Sequence, residues 1–204
     1  MARRRVEVRR EEILRATCDE VAKRGFANTR AADVAGALGI STGLVFYHFD
    51  SKDALLSAAF AYAAERDLAR LDAATHGPGS ALARLATILR MYAPEESGAG
   101  WPLWVDSWAT ALRSKEMAEV SQRLDVRWKD TVADVIRQGV EAGEMSCADP
   151  NAAAWRITAL LDGLAVQATV HDGVVTPEQV EAWVRVAAAA ELDVDPDALR
   201  DGPV

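Results

Sequence analysis

The chain has 204 residues, half of them hydrophobic and about a quarter charged, and its 31 Asp and Glu outweigh 23 Lys and Arg for a net charge of −8. That balance belongs to a globular protein with a sizeable core, not to a disordered chain, and its acidity speaks against nucleic-acid binding spread over the whole surface. No stretch reaches the ~18 apolar residues of a membrane span, and the charged start MARRRVEVRR has no apolar run behind it, so a cytoplasmic protein without membrane contact is expected.

The charge is unevenly placed. Residues 1–55 hold ten Lys and Arg against eight Asp and Glu, a balance of +2, while residues 56–204 carry −10. Arg3, Arg4, Arg5, Arg9 and Arg10 face a single acid, Glu7, which reads as a basic N-terminal arm for phosphates or simply as a solvated tail. From Val8 to Arg24 the residues Ile13, Leu14, Thr17, Val21 and Ala22 recur at three- and four-residue steps, an amphipathic helix stopped by Gly25. Cys18, within it, and Cys147 stand far apart without a CxxC or His neighbour, so no disulfide, metal site or cofactor is expected.

Thr29 is positioned to cap a short helix holding Val34 and Leu38 that Gly39 ends, and Ser41 or Thr42 starts another reaching His48. Ser51 then caps a long Ala-rich helix running to about residue 76. Further helices are expected near 80–92, 101–114, 115–142, 150–171 and 177–192, with residues 193–204 a flexible tail. Alternating strand patterns are nearly absent, and the fold class is all-α. The organisation expected is a head at 1–55 and a larger helical domain at 56–192.

Two helices of about eight residues joined by a short turn containing Gly form a helix-turn-helix, whose second helix enters the DNA major groove. Residues 30–38 and 42–48, within GISTGLVFYHFDSKDALL, fit that spacing. Thr29 and Ser41 combine hydroxyls with helix N-termini that suit phosphate oxygens, and Gly43 allows close backbone approach. Tyr47 and Lys52 can hold phosphates, whereas Thr42, Leu44 and Phe46 offer apolar surface to thymine methyl groups; His48 could donate to a phosphate or cap its helix.

With those residues in place, RREEILRAT and GFANTRAADVAGALGISTGLVFYHFDSKDALL resemble the DNA-binding domain of the tetracycline-repressor (TetR) family over about residues 9–60. The resemblance implies a homodimeric repressor whose C-terminal domain binds a small molecule and releases an operator in double-stranded DNA. It implies DNA contacts for Thr29, Ser41, Thr42, Gly43, Phe46, Tyr47, His48 and Lys52, and packing for Phe49. Family members often carry Lys or Arg where this chain has Thr42, so base readout here is expected to lean on apolar contacts.

Two rival readings arise from the same residues. GISTG matches the G-x-S-x-G elbow of serine hydrolases, but that motif needs a strand before it and the Ala-rich RAADVAGAL precedes it here, so no enzyme is expected. Alternatively, the head of a cytoplasmic ligand-binding or scaffold protein could grip a partner protein instead of DNA.

The larger domain carries all six Trp residues. Trp101, Trp104 and Trp108 fall on one helical face, and Trp128 and Trp155 come from helices expected nearby, forming either core or an apolar effector pocket behind the 93–100 loop. Met91, Tyr92, Asp162 and Gln167 join Trp101, Trp104, Trp108 and Trp128 as candidate ligand-binding residues, with Asp106 a further polar candidate. Asp162 interrupts the apolar run ITALLDGLAVQATV and, if buried, needs a partner. WPLWVDSWATAL and ALLDGLAVQ resemble, more loosely, the C-terminal domain of the betaine-regulator-like subgroup of the family, consistent with effectors from small cations to apolar molecules. Small residues along 150–171 and 177–192 permit close helix approach and suggest a two-fold homodimer through these helices, as the family resemblance also implies.

Overall fold

The computed structural model describes residues 2–94 and 100–200, with side chains from Val6 onward. Among the described residues there is no strand; the elements are α1 (Ala2–Asn28), α2 (Ala31–Leu38), α3 (Thr42–His48), α4 (Lys52–Thr75), α5 (Ala81–Tyr92), α6 (Gly100–Ala111), α7 (Lys115–Glu141), α8 (Pro150–Val170), α9 (Pro177–Leu192) and a 3-10 turn at Pro196–Leu199. None of these helices is long and apolar enough to cross a membrane.

Local chemistry sets most of the ends. Ser41, Ser80, Asp149 and Thr176 each turn a side-chain oxygen back onto an otherwise orphaned N–H in the first turn of α3, α5, α8 and α9. Gly39 closes α2 in the left-handed conformation, φ 63°. Gly25 breaks α1 at φ 75° and ψ 164°, a conformation open to glycine, and a final turn follows to Asn28. Helix α1 begins at Ala2, earlier than the expected Val8, so the basic arm is helical backbone; the side chains of Arg3, Arg4 and Arg5 lie outside the described residues.

The chain forms two compact units. One comprises residues 1–66 and 102–124, the other 67–101 and 125–204, so the expected boundary at residue 55 falls inside α4. In the first unit Ile13, Leu14, Val34, Ala35, Val45, Phe49 and Leu55 make a continuous core beneath α2 and α3, with Leu38 and Ile40 packed at its margin. A second packing centre sits in the same unit, where the Phe60 ring meets Phe26 edge-on at 6.1 Å and Trp104 at 4.9 Å.

In the second unit α8 lies along α9, and Ile157, Leu161, Val180, Val184 and Leu192 are buried. The expected flexible tail is corrected for residues 193–200. Asp193 closes α9 in the left-handed conformation, Asp195 caps the 3-10 turn, and Leu199 is buried where the turn packs on α5 and α9. An isolated Leu among acids gives no periodic signal, and its burial depends on a groove that other helices supply. Residues 201–204, and 95–99 of the expected loop at the pocket mouth, lie outside the described residues.

Candidate functional site

The 7-residue α3 is anchored by one side chain. Val45 is fully buried in the head core, which turns the rest of the helix outward: Ser41, Gly43, Phe46 and Tyr47 are exposed, Tyr47 to 73 %, while Thr42, Leu44 and His48 are partly so. A helix whose aromatic and hydroxyl groups face solvent, joined by a short turn to a partner helix that buries Ala31, Val34 and Ala35, has the shape of a major-groove reader. Tyr47 and His48 meet edge-on at 5.2 Å. Burial, then the nearby charges of Arg10 and Arg9, push the His48 imidazole below its usual pKa, so it is neutral at pH about 7.

Arg10 is held with its guanidinium 4.8 Å from the Phe49 ring, which fixes a cation beside the end of α3. Lys52 donates to the Ala27 carbonyl at 3.1 Å, fastening the start of α4 to the last turn of α1.

Thr29 departs from expectation. It is fully buried, its hydroxyl donates to the Gly25 carbonyl at 2.8 Å, and the capping position of α2 belongs to exposed Arg30, whose N–H donates to Asp33. Thr29 therefore has no free hydroxyl to offer a phosphate, and Arg30 stands at the helix end in its place. The side chain of Ser41 likewise accepts from the Leu44 N–H, after a glycine-terminated helix and not after a strand, so GISTG is a cap and not a nucleophile elbow.

The residues expected around a pocket divide between the two units. Trp104 and Trp108 lie in the first, 6.1 Å apart, with Trp104 against Phe60; Asp106 there accepts the Phe26 N–H at 2.6 Å. All three belong to the first unit. Met91 and Gln167 are exposed.

Tyr92, Trp101, Trp128 and Asp162 do come together in the second unit. The Tyr92 ring lies 4.1 Å from Trp128 and 5.2 Å from Trp101, whose indole N–H donates to the Tyr92 carbonyl at 3.0 Å. The Tyr92 hydroxyl donates to Asp162 Oδ1 at 3.0 Å. Burial and the Asp162 charge hold that phenol well above its ordinary pKa, so it remains a donor. Burial raises the Asp162 carboxyl too, against the opposing pull of Lys129 and Tyr92.

Sequence reasoning missed Lys129 and Asp125. Lys129 is only 4 % exposed, pairs with Asp125 one turn earlier on α7, lies 3.6 Å from Asp162 Oδ2, and sits 4.8 Å from the Trp155 ring centre. Their signal was a charged i, i+4 pair, which on most helices is solvent-exposed. Three aromatic rings, a carboxylate that accepts a hydrogen bond from a phenol and an acidic partner are groups that attract a small organic cation.

An all-helical chain with an outward-facing recognition helix and a separate aromatic, acidic cluster defines a DNA-binding regulator. Its relatives agree: the profile for bacterial regulatory proteins of the tetR family matches residues 13–59, and that for the C-terminal part of BetI-type transcriptional repressors matches 81–193. The chain belongs to the tetR family of transcriptional regulators, with a BetI-type C-terminal domain.

It is 31 % identical over 169 residues to the HTH-type transcriptional regulator BetI of Paraburkholderia xenovorans strain LB400, covering 78 % of this chain and 80 % of that protein. A transcriptional regulator from Saccharomonospora viridis, solved in complex with choline, superposes with a TM-score of 0.82 at 25 % identity, over 91 % of this chain and 98 % of that one. A TetR-family regulator from Rhodococcus sp. gives 0.76 at 28 % identity, over 90 % and 98 %.

Proposed function

We propose that the protein is a repressor that binds a pseudo-palindromic operator as a homodimer and leaves it when a small organic cation of the choline type fills the Tyr92, Trp101, Trp128 and Asp162 cluster. The observation that carries the DNA half is α3, which buries Val45 in the head core and turns Phe46 and Tyr47 to solvent. In this reading residues 1–55 read DNA and 56–192 sense and dimerise. Ser41, Thr42, Gly43, Leu44, Phe46, Tyr47, His48 and Lys52 contact the operator, while Arg10 and Arg30 add phosphate contacts. Thr29 is withdrawn from that set by its burial.

The cationic effector is supported by the aromatic and acidic character of the cluster and by the choline bound in the Saccharomonospora viridis relative. Trp101 opens α6, the same helix that carries Asp106 and its bond to the head backbone at Phe26, so a ligand that moves Trp101 acts on a helix already tied to the head. The ligand lowers operator affinity only by preferring the conformation that DNA does not, about 2.7 kcal/mol for a hundredfold effect. For the dimer, α8 and α9 leave Leu160, Trp183 and Val186 exposed, apolar side chains that a second copy could cover.

The test is a gel shift with DNA from upstream of the gene, with a scrambled duplex beside it, at two salt concentrations and with and without choline. Retention of the upstream fragment and its loss with choline are expected. Equal retention of both duplexes refutes operator reading, and indifference to choline refutes the effector.

A further inference from the structure

Lys129 is an ammonium in a place built for a cation. Taking it out of water is costly unless charges and dipoles compensate, and here Asp125, Asp162 and the face of Trp155 do so. Those are the groups a small quaternary ammonium requires, a carboxylate and a ring face. Meanwhile Tyr92 and Trp128, 4.1 Å apart, touch each other and leave no gap for a cation between them. The cationic position of the cluster is thus taken by the chain itself.

The charges decide what kind of ligand can replace it. Once Lys129 leaves, Asp125 and Asp162 carry two negative charges; a monocation restores the balance that Lys129 kept, a zwitterion adds no net charge, and an anion deepens the excess. On the basis of the cationic-effector reading above, we infer that Lys129 is a built-in occupant of the effector site, which an incoming quaternary ammonium displaces from Asp162 and Trp155. Trp155 is half exposed, so the expelled ammonium has a route to water along its flexible stem. Expulsion lowers the apparent affinity for the effector, because the competent conformation is only fractionally populated, and it sets the concentration at which the sensor responds.

The test uses the full chain, wild type and Lys129→Met, titrated calorimetrically with choline chloride and with glycine betaine at fixed ionic strength. Wild type binds choline, Lys129→Met binds it tighter by about tenfold or more, and glycine betaine is the weaker ligand for wild type. In parallel, amine acetylation of wild type read by mass spectrometry should show Lys129 labelled severalfold faster under saturating choline while Lys115 is unchanged.

A folded Lys129→Met protein that binds choline no tighter overturns the inference. Should that variant not fold, the labelling decides, and Lys129 labelling that stays level or falls with choline overturns it. Absence of choline binding in both proteins overturns the cationic-effector reading and this inference together, whereas wild-type binding without tightening overturns the inference alone.

Discussion

Replacing Gly25 by Ala should weaken the head through two separable effects. The first is backbone strain: at φ 75° and ψ 164° a residue with a Cβ lies in a region held essentially by glycine, costing on the order of 1–3 kcal/mol. The second is contact. An added Cβ would stand 3.0 Å from Asp106 Oδ2, the oxygen that accepts the Phe26 N–H at 2.6 Å, so the carboxylate must retreat by a few tenths of an ångström and stretch its hydrogen bond. A hydrogen bond to a charged group contributes about 1.5–3 kcal/mol, and losing part of it brings the expected total to roughly 2–4 kcal/mol.

Equilibrium urea unfolding followed by circular dichroism, at one fixed protein concentration, measures this. Asp106→Ala serves as the second arm of a double-mutant cycle. With the carboxylate gone only backbone strain remains, so Gly25→Ala should cost about 1 kcal/mol less in the Asp106→Ala background than in wild type. A loss for Gly25→Ala below about 0.5 kcal/mol, the range of an indifferent surface change, would refute the strain argument, and strict additivity would refute the contact with Asp106.

Tyr47→Ala should weaken binding to every duplex alike, and Lys52→Ala should lower the slope of log affinity against log salt by about two, one for each protomer of the dimer; unaltered slopes in filter binding would remove Lys52 from the phosphates. Choline affinity should fall as the pH drops from neutrality toward about 5, just above the ordinary carboxylate range. Burial raises the Asp162 pKa, so the folded site takes up a proton that a bound cation must expel. The same shift means that folding stability is fully present below the ordinary Asp pKa and is reduced as pH rises through the raised one, and Asp162→Asn should flatten both profiles by titration and thermal melting. Trp183→Glu should shift sedimentation at micromolar protein toward monomer, and an unchanged dimer would place the interface elsewhere.

Local chemistry in this chain is legible wherever one residue acts on its own backbone. Gly39, Ser41 and Ser51 announce helix ends by their types, and the structure uses them so. Thr29 shows where that reasoning fails. A hydroxyl beside a helix start reads as a cap, yet its side chain bonds back to the Gly25 carbonyl, and the Gly25 break itself is stabilised by Asp106, 81 residues further along the chain. The recognition helix was readable because its job requires polar and aromatic groups at positions a core would not tolerate.

The aromatic and acidic cluster was half legible for the same reason. Tyr92, Trp101, Trp128 and Asp162 stood out as residue types, but Trp104, which shares its spacing with Trp101, packs on Phe60 in the first unit. Periodicity says which residues share a helix face, not which neighbours a long helix meets along its length. Lys129 could not be found from α7 alone, because its burial depends on Trp155 and Asp162, both supplied by α8.

Under the proposed function, the uneven charge gives the two ligands different salt responses. Residues 1–55, which hold the proposed operator contacts, carry +2 and the rest −10. Phosphate contacts release counterions, and with six to ten of them operator affinity should fall about 10³–10⁵-fold between about 50 and 200 mM salt. The Asp125 and Asp162 carboxylates are partly buried beside Lys129, where screening is weaker, so choline affinity should change by no more than a few-fold over the same range. A choline affinity that falls as steeply as operator affinity would mean that the cation is held at an exposed surface and not within the aromatic cluster.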